Sequence, residues 1–425
     1  MHFLMNFFKA LSVGLGCLAM LAGFETPAFA AENRISVGLD RLFCMPYCQW
    51  IKGKRVGLIC NQTAIDGQHR HAVQCLTERE GEMGFKLVAL FSPEHGIRGE
   101  WPAEHRMNGD EKSREGIPIF SLHGSRFRPT PEMLAQIDLF IFDMQDVGSR
   151  SYTYLSTLLM ALEEAAKAHI PFVVLDRPNP LGGLLVDGPM LEEKWRSIVG
   201  YLNVPYCHGM TLGELALYYN EKYAIGADLK VVPMAGWRRA MPFSETGLTW
   251  VPTSPNIPEM TTPFFYPCTG ILGELQVISI GIGTTLPFKV FGAPWIDADA
   301  LTQALNGQKF PGVHFLPFYF RPMKGKFSGE TCNGAMIVVT DVRKIRPVEI
   351  QFLIIGILKT LYPEKFAEGL KEFAKRKEMF CKVMGSERYY DLIEKGKYVV
   401  WPAKEMDQKG REAFLEERKR FLLYK

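Results

Sequence analysis

The chain has 425 residues, 47% hydrophobic and 22% charged, a soluble globular composition long enough for more than one core. Its net charge is +3 and its basic residues form no stripe, which excludes a nucleic-acid partner recognised by electrostatics.

Residues 1–30 stand apart. Lys9 precedes an apolar, small-residue run from Leu11 to Phe24, and Ala28-Phe29-Ala30 supplies a small-x-small cleavage site. The pattern predicts a secretory signal peptide cleaved after Ala30, its apolar stretch too short for a comfortable membrane span. Cys17 makes lipoprotein anchoring a minor alternative, although Gly14-Leu15-Gly16 is a poor lipobox. No later stretch has the ~18 uninterrupted apolar residues of a span. The expectation is an exported protein, periplasmic or secreted, with no transmembrane segment. An exported chain can hold disulfides, and Cys44 and Cys48 are near enough to pair if the segment bends. The remaining cysteines read as buried and inert. No second Cys/His pair lies at ligand spacing and no H-E-x-x-H pattern occurs, so no metal is expected.

The elements then alternate. Arg55 to Cys60 is a strand ending in Asn61-Gln62-Thr63, and a helix follows over His71 to Glu80. Leu87 to Phe91 is a second strand and Pro118 to Leu122 a short third. A short helix spans Pro131 to Ile137, and Asp138 to Asp143 is a strand buried on both faces. Ser156 to Ala168 is a helix rich in Ala, Leu, Met and Glu. Pro171 to Asp176 is a strand, Thr211-Leu212-Gly213-Glu214 is a capping box opening a helix through Asn220, and Leu229 to Pro233 closes the series. Such alternation means βαβ units: a Rossmann-like α/β fold, its parallel sheet covered by helices on both faces. The first strand is followed by no G-x-G-x-x-G, so no dinucleotide cofactor is implied. From Trp250 to Pro258 the chain turns Pro-rich and extended, and the boundary between domains 31–260 and 261–425 is placed there. Strands over Val313–Phe320 and Gly334–Thr340, a helix over Pro347–Leu361 and a charged helix over Asp407–Arg420 make the second a smaller C-terminal α/β domain.

Three strands of the first domain end in polar loops: Ser92-Pro93-Glu94-His95-Gly96, Asp143 to Tyr154, and Asp176 to Gly183. Asn61-Gln62-Thr63 adds a smaller set. In a parallel sheet these ends share one edge, where ligands of open α/β sheets bind. The converging groups suit a polyhydroxylated ligand: amides and carboxylates for hydroxyls, aromatics for sugar faces, arginines for a ligand carboxylate. Candidate binding residues are Asn61, Gln145, Arg150, Tyr152, Asp176, Arg177 and Asn179, with His208 reaching in from the side. Glu94, directly after Pro93 at a strand end, is the leading catalytic candidate, with His95 beside it as another. Glycoside hydrolysis asks for two carboxyl groups, and Asp143, Asp146 and Asp176 are equal candidates for the second. A serine hydrolase would want G-x-S-x-G at a strand-to-helix elbow, and Gly148-Ser149-Arg150-Ser151 has the wrong spacing.

Val56 to Thr63, Phe91 to Gly96, the Asp143–Tyr154 loop, Leu175 to Gly183, His208 to Glu214, Phe291-Gly292-Ala293-Pro294-Trp295 and the closing Phe421-Leu422-Leu423-Tyr424 together resemble the NamZ-type exo-β-N-acetylmuramidases. The resemblance implies an exported or cell-envelope glycoside hydrolase that removes N-acetylmuramic acid from the non-reducing ends of peptidoglycan fragments. It implies muropeptide partners, no cofactor, and a site in the cleft between the two domains. The family's catalytic glutamate corresponds to Glu94, and the lactyl carboxylate of muramic acid would suit Arg150 or Arg177. One loop departs from the family. Where the family reads close to E-G-T-N-x-S-E-G-R-G-T-T-R-P-F, the segment Gly273 to Phe288 replaces a Glu and two Arg with apolar residues and keeps two glycines and a Thr pair. The loop's shape is expected to persist while its contacts change. A catalytically silent muropeptide-binding protein is the alternative this raises.

Overall fold

The protein, described by a computed structural model over residues 35–102, 111–372 and 374–425, carries two sheets. The predicted signal peptide, with Cys17, lies outside the described residues. Arg55–Cys60 (β1), Lys86–Ser92 (β2), Glu111–Lys112 (β3), Pro118–Ser121 (β4), Leu139–Asp143 (β5), Phe172–Leu175 (β6) and Leu229–Val232 (β7) form the larger one, in the order β3-β4-β2-β1-β5-β6-β7. All its pairings are parallel except β3 on β4. This is the doubly wound arrangement expected from the alternation, with β1 and β5 at the point where strand order reverses.

Every residue of β5 is buried, and its side chains alternate between two cores. Leu139 and Ile141 join Val56, Leu58, Val173 and Leu175 on one face, while Phe140 and Phe142 join Ile59, Phe91, Phe172 and Val174 on the other. A strand with period-two alternation and apolar residues at every position must be covered on both faces, and this one is.

Val290–Ala293 (β8), Val313–Phe320 (β9) and Cys332–Val339 (β10) form a smaller antiparallel sheet in the order β8-β10-β9. The core on one face of the larger sheet runs without a break into this region, through Phe264, Ile271, Phe291, Ile354 and Tyr389. The chain end then turns back to the first region. Tyr218 packs edge-on against Phe414 and Phe421, and the Tyr424 hydroxyl donates to Asp176 Oδ2.

Several predicted elements shift. The helix read over 71–80 is two pieces, Ala72–Thr77 and Glu80–Met83, and the helix read from Ser156 begins at Thr153. A helix over Thr262–Glu274 was not foreseen. Its sequence holds Pro263, Pro267, Gly270 and Gly273, residues of poor helix propensity. Pro263 is harmless in the first turn, and burial of Phe264, Phe265, Cys268, Ile271 and Leu272 outweighs the rest. The eight described cysteines are all free thiols, including Cys44 and Cys48, so the pairing that their spacing allows is not made. A backbone hydrogen bond from Cys48 N–H to Cys44 O bends the segment, yet Cys48 Sγ lies against Met45 Sδ at 3.5 Å instead.

Candidate active site

Glu94 is placed by the end of β2. Pro93 has no N–H to extend the ladder, and the chain turns at once, Gly96 N–H donating to Pro93 O at 3.1 Å. His95 sits in the left-handed region, φ 72°, and is buried. Its Nδ1 lies 2.8 Å from Trp101 O. A carbonyl only accepts, so Nδ1 carries the proton. His95 thus anchors the turn that presents Glu94.

The Glu94 side chain is 14% exposed. Its Oε2 accepts from the Thr153 hydroxyl at 2.8 Å. Thr153 opens the helix that follows β5, so two strand-end segments meet here. Oε1 lies 3.7 Å from His123 Nε2. His123 follows β4, and burial first of all holds its imidazole below the ordinary histidine value, so it is neutral at neutral pH.

These groups form one wall of a cavity of about 400 Å³. The facing wall comes from the second region. Tyr266, Gly270, Gly273 and Glu274 line it at i, i+4, i+7 and i+8 of the Thr262–Glu274 helix, one helical face. Tyr266 OH lies 3.0 Å from Ser151 Oγ, joining the walls. Glu274 Oε2 accepts from Arg376 Nη2 at 2.7 Å. The cavity therefore holds two carboxylates, Glu94 and Glu274, on elements far apart in sequence. Lys326 and Arg376 add positive charge, and Ile198, Ile280, Ile282, Phe288 and Met379 make the remaining wall apolar.

The loop after Glu274 keeps its shape for a visible reason. Gly281 and Gly283 have φ 78° and 86°, and a Cβ on them would lie 2.5 Å from Leu286 O and 2.6 Å from Lys324 N. Thr284 Oγ1 donates to Gly281 O and accepts from Leu286 N–H. The retained glycines and Thr284 are thus the loop's own scaffold, and its altered positions Ile280 and Ile282 line the cavity.

The other predicted site residues do converge, but beyond β1, β5 and β6 and not on the cavity wall. Asp143, fully buried, takes two hydrogen bonds from Arg177, Nε to Oδ1 at 2.5 Å and Nη2 to Oδ2 at 2.9 Å. Asp146 Oδ1 accepts from Gly148 N–H, its Oδ2 has no hydrogen-bond partner, and burial pushes its carboxyl up to about 7. Gln145 Nε2 donates to Asp146 O and Pro178 O, and Asn179 bridges Met210 O and Leu181 N. Asn61 Oδ1 accepts from Thr63, and Tyr152 OH donates to Thr253 Oγ1. The space among Asp146, Arg177, Asn179 and Thr211 is about 10 Å³, room for about one water.

Arg150 is buried and donates to Pro189 O, Val204 O and Met384 O, tying the two regions together. Asp176 accepts from Thr211 and Tyr424, and its carboxyl is also pushed up to about 7, chiefly by burial. His208 accepts from Met210 N–H, and burial lowers its imidazole to about 3. Of the predicted catalytic and binding residues, Glu94 alone lines the cavity. His123 was within reach of the same strand-end reasoning, since it follows β4 by two residues. Glu274 stands at the head of the divergent loop. Lys326 and Arg376 carry no local signal.

A larger cavity, about 740 Å³, lies elsewhere among residues 308–404 and shares no lining residue with the first. Size alone would favour it. Its one carboxylate, Glu349, is paired with Lys404 at 3.2 Å, so of these two cavities the smaller is the one that holds a pair of acids.

Comparison with known proteins gives the family. The profile of the exo-β-N-acetylmuramidase NamZ N-terminal region matches residues 56–261, and that of its C-terminal region matches residues 264–424. The peptidoglycan β-N-acetylmuramidase NamZ of Bacillus subtilis is 40% identical over 93% of this chain and 92% of its own. A DUF1343 family protein of Bacteroides fragilis superposes with a TM-score of 0.85 at 38% identity, covering 92% of this chain and all of its own. A second from that organism gives 0.67 at 28%, covering 92% and 99%. The chain belongs to the NamZ exo-β-N-acetylmuramidase family.

Proposed function

We propose that this member of the NamZ family is an exo-acting glycoside hydrolase releasing N-acetylmuramic acid from the non-reducing ends of peptidoglycan fragments. The observation that carries the reading is the pair Glu94 and Glu274 in one partly apolar cavity, in a chain 40% identical to a peptidoglycan β-N-acetylmuramidase.

Glu94 is the general acid. Its proton goes to the glycosidic oxygen as the bond from C1 to that oxygen breaks, water supplies the hydroxyl that C1 gains, and the water's remaining proton returns to the carboxylate pair, which restores the acid. The Thr153 hydroxyl fixes the carboxylate's orientation. Glu274 is the second carboxylate, held by Arg376. Lys326 and Arg376 are the cations that line the cavity and can add the lactyl carboxylate to the partners they already hold, Glu372 and Glu274, whereas Arg150 and Arg177 lie outside it, on backbone carbonyls and on Asp143. The apolar wall packs on the sugar's carbon face and acetyl methyl. Two carboxylates in place also weigh against a purely binding protein.

A chromogenic N-acetylmuramide tests the reading. The protein should cleave it, and Glu94→Gln should lower kcat by about 10²–10⁴. Equal rates for the two proteins would remove Glu94 from the mechanism, and binding without turnover by the unaltered protein would favour the silent alternative. Export is part of the proposal. The Lys9–Ala30 pattern supports it, and N-terminal sequencing of the mature protein should find Ala31 first; a retained Met1 would refute cleavage.

A further inference from the structure

We propose that the 740 Å³ groove is a second glycan site, one that holds an anionic peptidoglycan strand apart from the hydrolytic cavity. The inference rests on the substrate class proposed above. The groove is lined by the turn at 308–311, the segment 343–346, one face of the Pro347–Leu361 helix and the segment 397–404. Glu349, Leu353, Gly356, Ile357 and Thr360 make that helical face. Another face of the same helix packs on the helix that carries Glu274, where Gln351 Oε1 accepts from Leu272 N–H at 2.9 Å. One rigid element thus borders the groove and braces the active-site wall.

Two features of the lining point to the ligand. The first is charge. Lys309, Arg343, Lys344, Arg346, Lys397 and Lys404 face a single carboxylate, Glu349, in a chain whose net charge is only +3. Arg343, Lys344 and Lys404 are paired with Glu245, Asp341 and Glu349. Lys309, Arg346 and Lys397 are exposed and have no carboxylate partner among the described residues. The second is aromatic surface. Tyr398 and Trp401 line the groove and are each 69% exposed. Lys397 and Lys404 lie over these rings, 5.4 and 5.8 Å from their centroids, so open ring faces and cations form one surface.

Stacking rings beside unpaired cations suit a polymer that alternates flat pyranose faces with carboxylates. A peptidoglycan strand does so, its carboxylates supplied by lactyl groups and stem peptides. An exo-acting enzyme gains from such a site, because a held strand keeps its end at high effective concentration near the cavity.

The test is cosedimentation of the full-length mature protein with peptidoglycan sacculi, with chitin as the uncharged amino-sugar polymer and with anionic lipid vesicles. Sacculi should bind best, and added salt should weaken the binding. Trp401→Ala, and separately the double change Lys309→Glu with Lys397→Glu, should lower sacculus affinity by at least about tenfold. Hydrolysis of the small chromogenic muramide should stay unchanged in both. These side chains are exposed, so melting temperatures should hold as well. Undiminished sacculus binding by both variants overturns the site. Equal binding to chitin and sacculi overturns the charge argument, and stronger binding to vesicles identifies a membrane as the occupant and overturns the glycan one. A protein that cleaves no muramide but binds sacculi through Trp401 would refute the function proposed above and leave the groove standing.

Discussion

Asp143 ends β5 and Glu94 follows β2 in the same sheet, yet the two carboxylates live in different chemistry. Asp143 is wholly buried and meets Arg177 through both oxygens. Glu94 keeps 14% of its surface, takes a hydroxyl on one oxygen and faces a cavity. Position at a strand end was common to both. What separates them is their surroundings: Asp143 is sealed from solvent on Arg177, and Glu94 borders open space. A sealed acid orders the loops, and one that lines a cavity can meet a substrate.

The largest expected contrast is in rate. Glu94→Gln or Glu274→Gln should cost roughly a thousandfold in kcat with little change in stability. Asp146→Asn, outside the cavity, should leave kcat within about twofold of the parent, less than 1 kcal/mol of barrier. Steady-state assays with thermal melts on the same samples separate the two. A thousandfold loss in the Asp146 variant would move the chemistry to the strand-end cluster.

Next comes stability. Asp143→Asn leaves the Arg177 guanidinium buried without its counter-ion, and breaking a buried pair from one side costs about 3–5 kcal/mol. Denaturant unfolding should show that loss, while the molecules that remain folded turn over normally. A smaller effect is expected from Thr153→Ala. It removes one hydrogen bond to a charged group, worth about 1.5–3 kcal/mol. If that bond orients the acid, kcat should fall about tenfold or more with KM little changed. A change in KM alone would make Thr153 a binding residue.

The fold was legible because period-two burial and βαβ alternation are local patterns. Both register in β5, where each residue was read as buried on one face or the other. Glu94 was legible for a related reason, since a proline at a strand end fixes where the chain must turn. The second wall was not. The Thr262–Glu274 helix is carried by burial against distant residues and not by its own propensity, so its prolines and glycines misled. Arg376 reaches Glu274 across 102 positions, a pairing that no local pattern marks. The closure of the strand-end cluster was equally hidden, because a list of polar residues does not say whether they will satisfy one another.

Asp146 gives the subtlest view of that closure. Burial raises its folded carboxyl to about 7 from an ordinary value of 3.8. The unfolded chain therefore releases this proton near pH 4, while the folded protein keeps it to about pH 7. Between those limits the unfolded state binds fewer protons, so stability must fall as pH rises, by at most about 1.4 kcal/mol per pH unit from this group. Asp176 tilts the same window in the same direction, and His208, lowered to about 3, contributes the opposite slope below its ordinary value of 6.5. Both cancel in a comparison of the parent with Asp146→Asn. Asparagine keeps the oxygen that accepts from Gly148 and cannot ionise. Its unfolding free energy should therefore gain on the parent's steadily from about pH 4 to pH 7 and hold a constant difference above that. A difference flat across the window would mean that Asp146 is already ionised in the folded protein, and that the sealed cluster is open enough to solvate it.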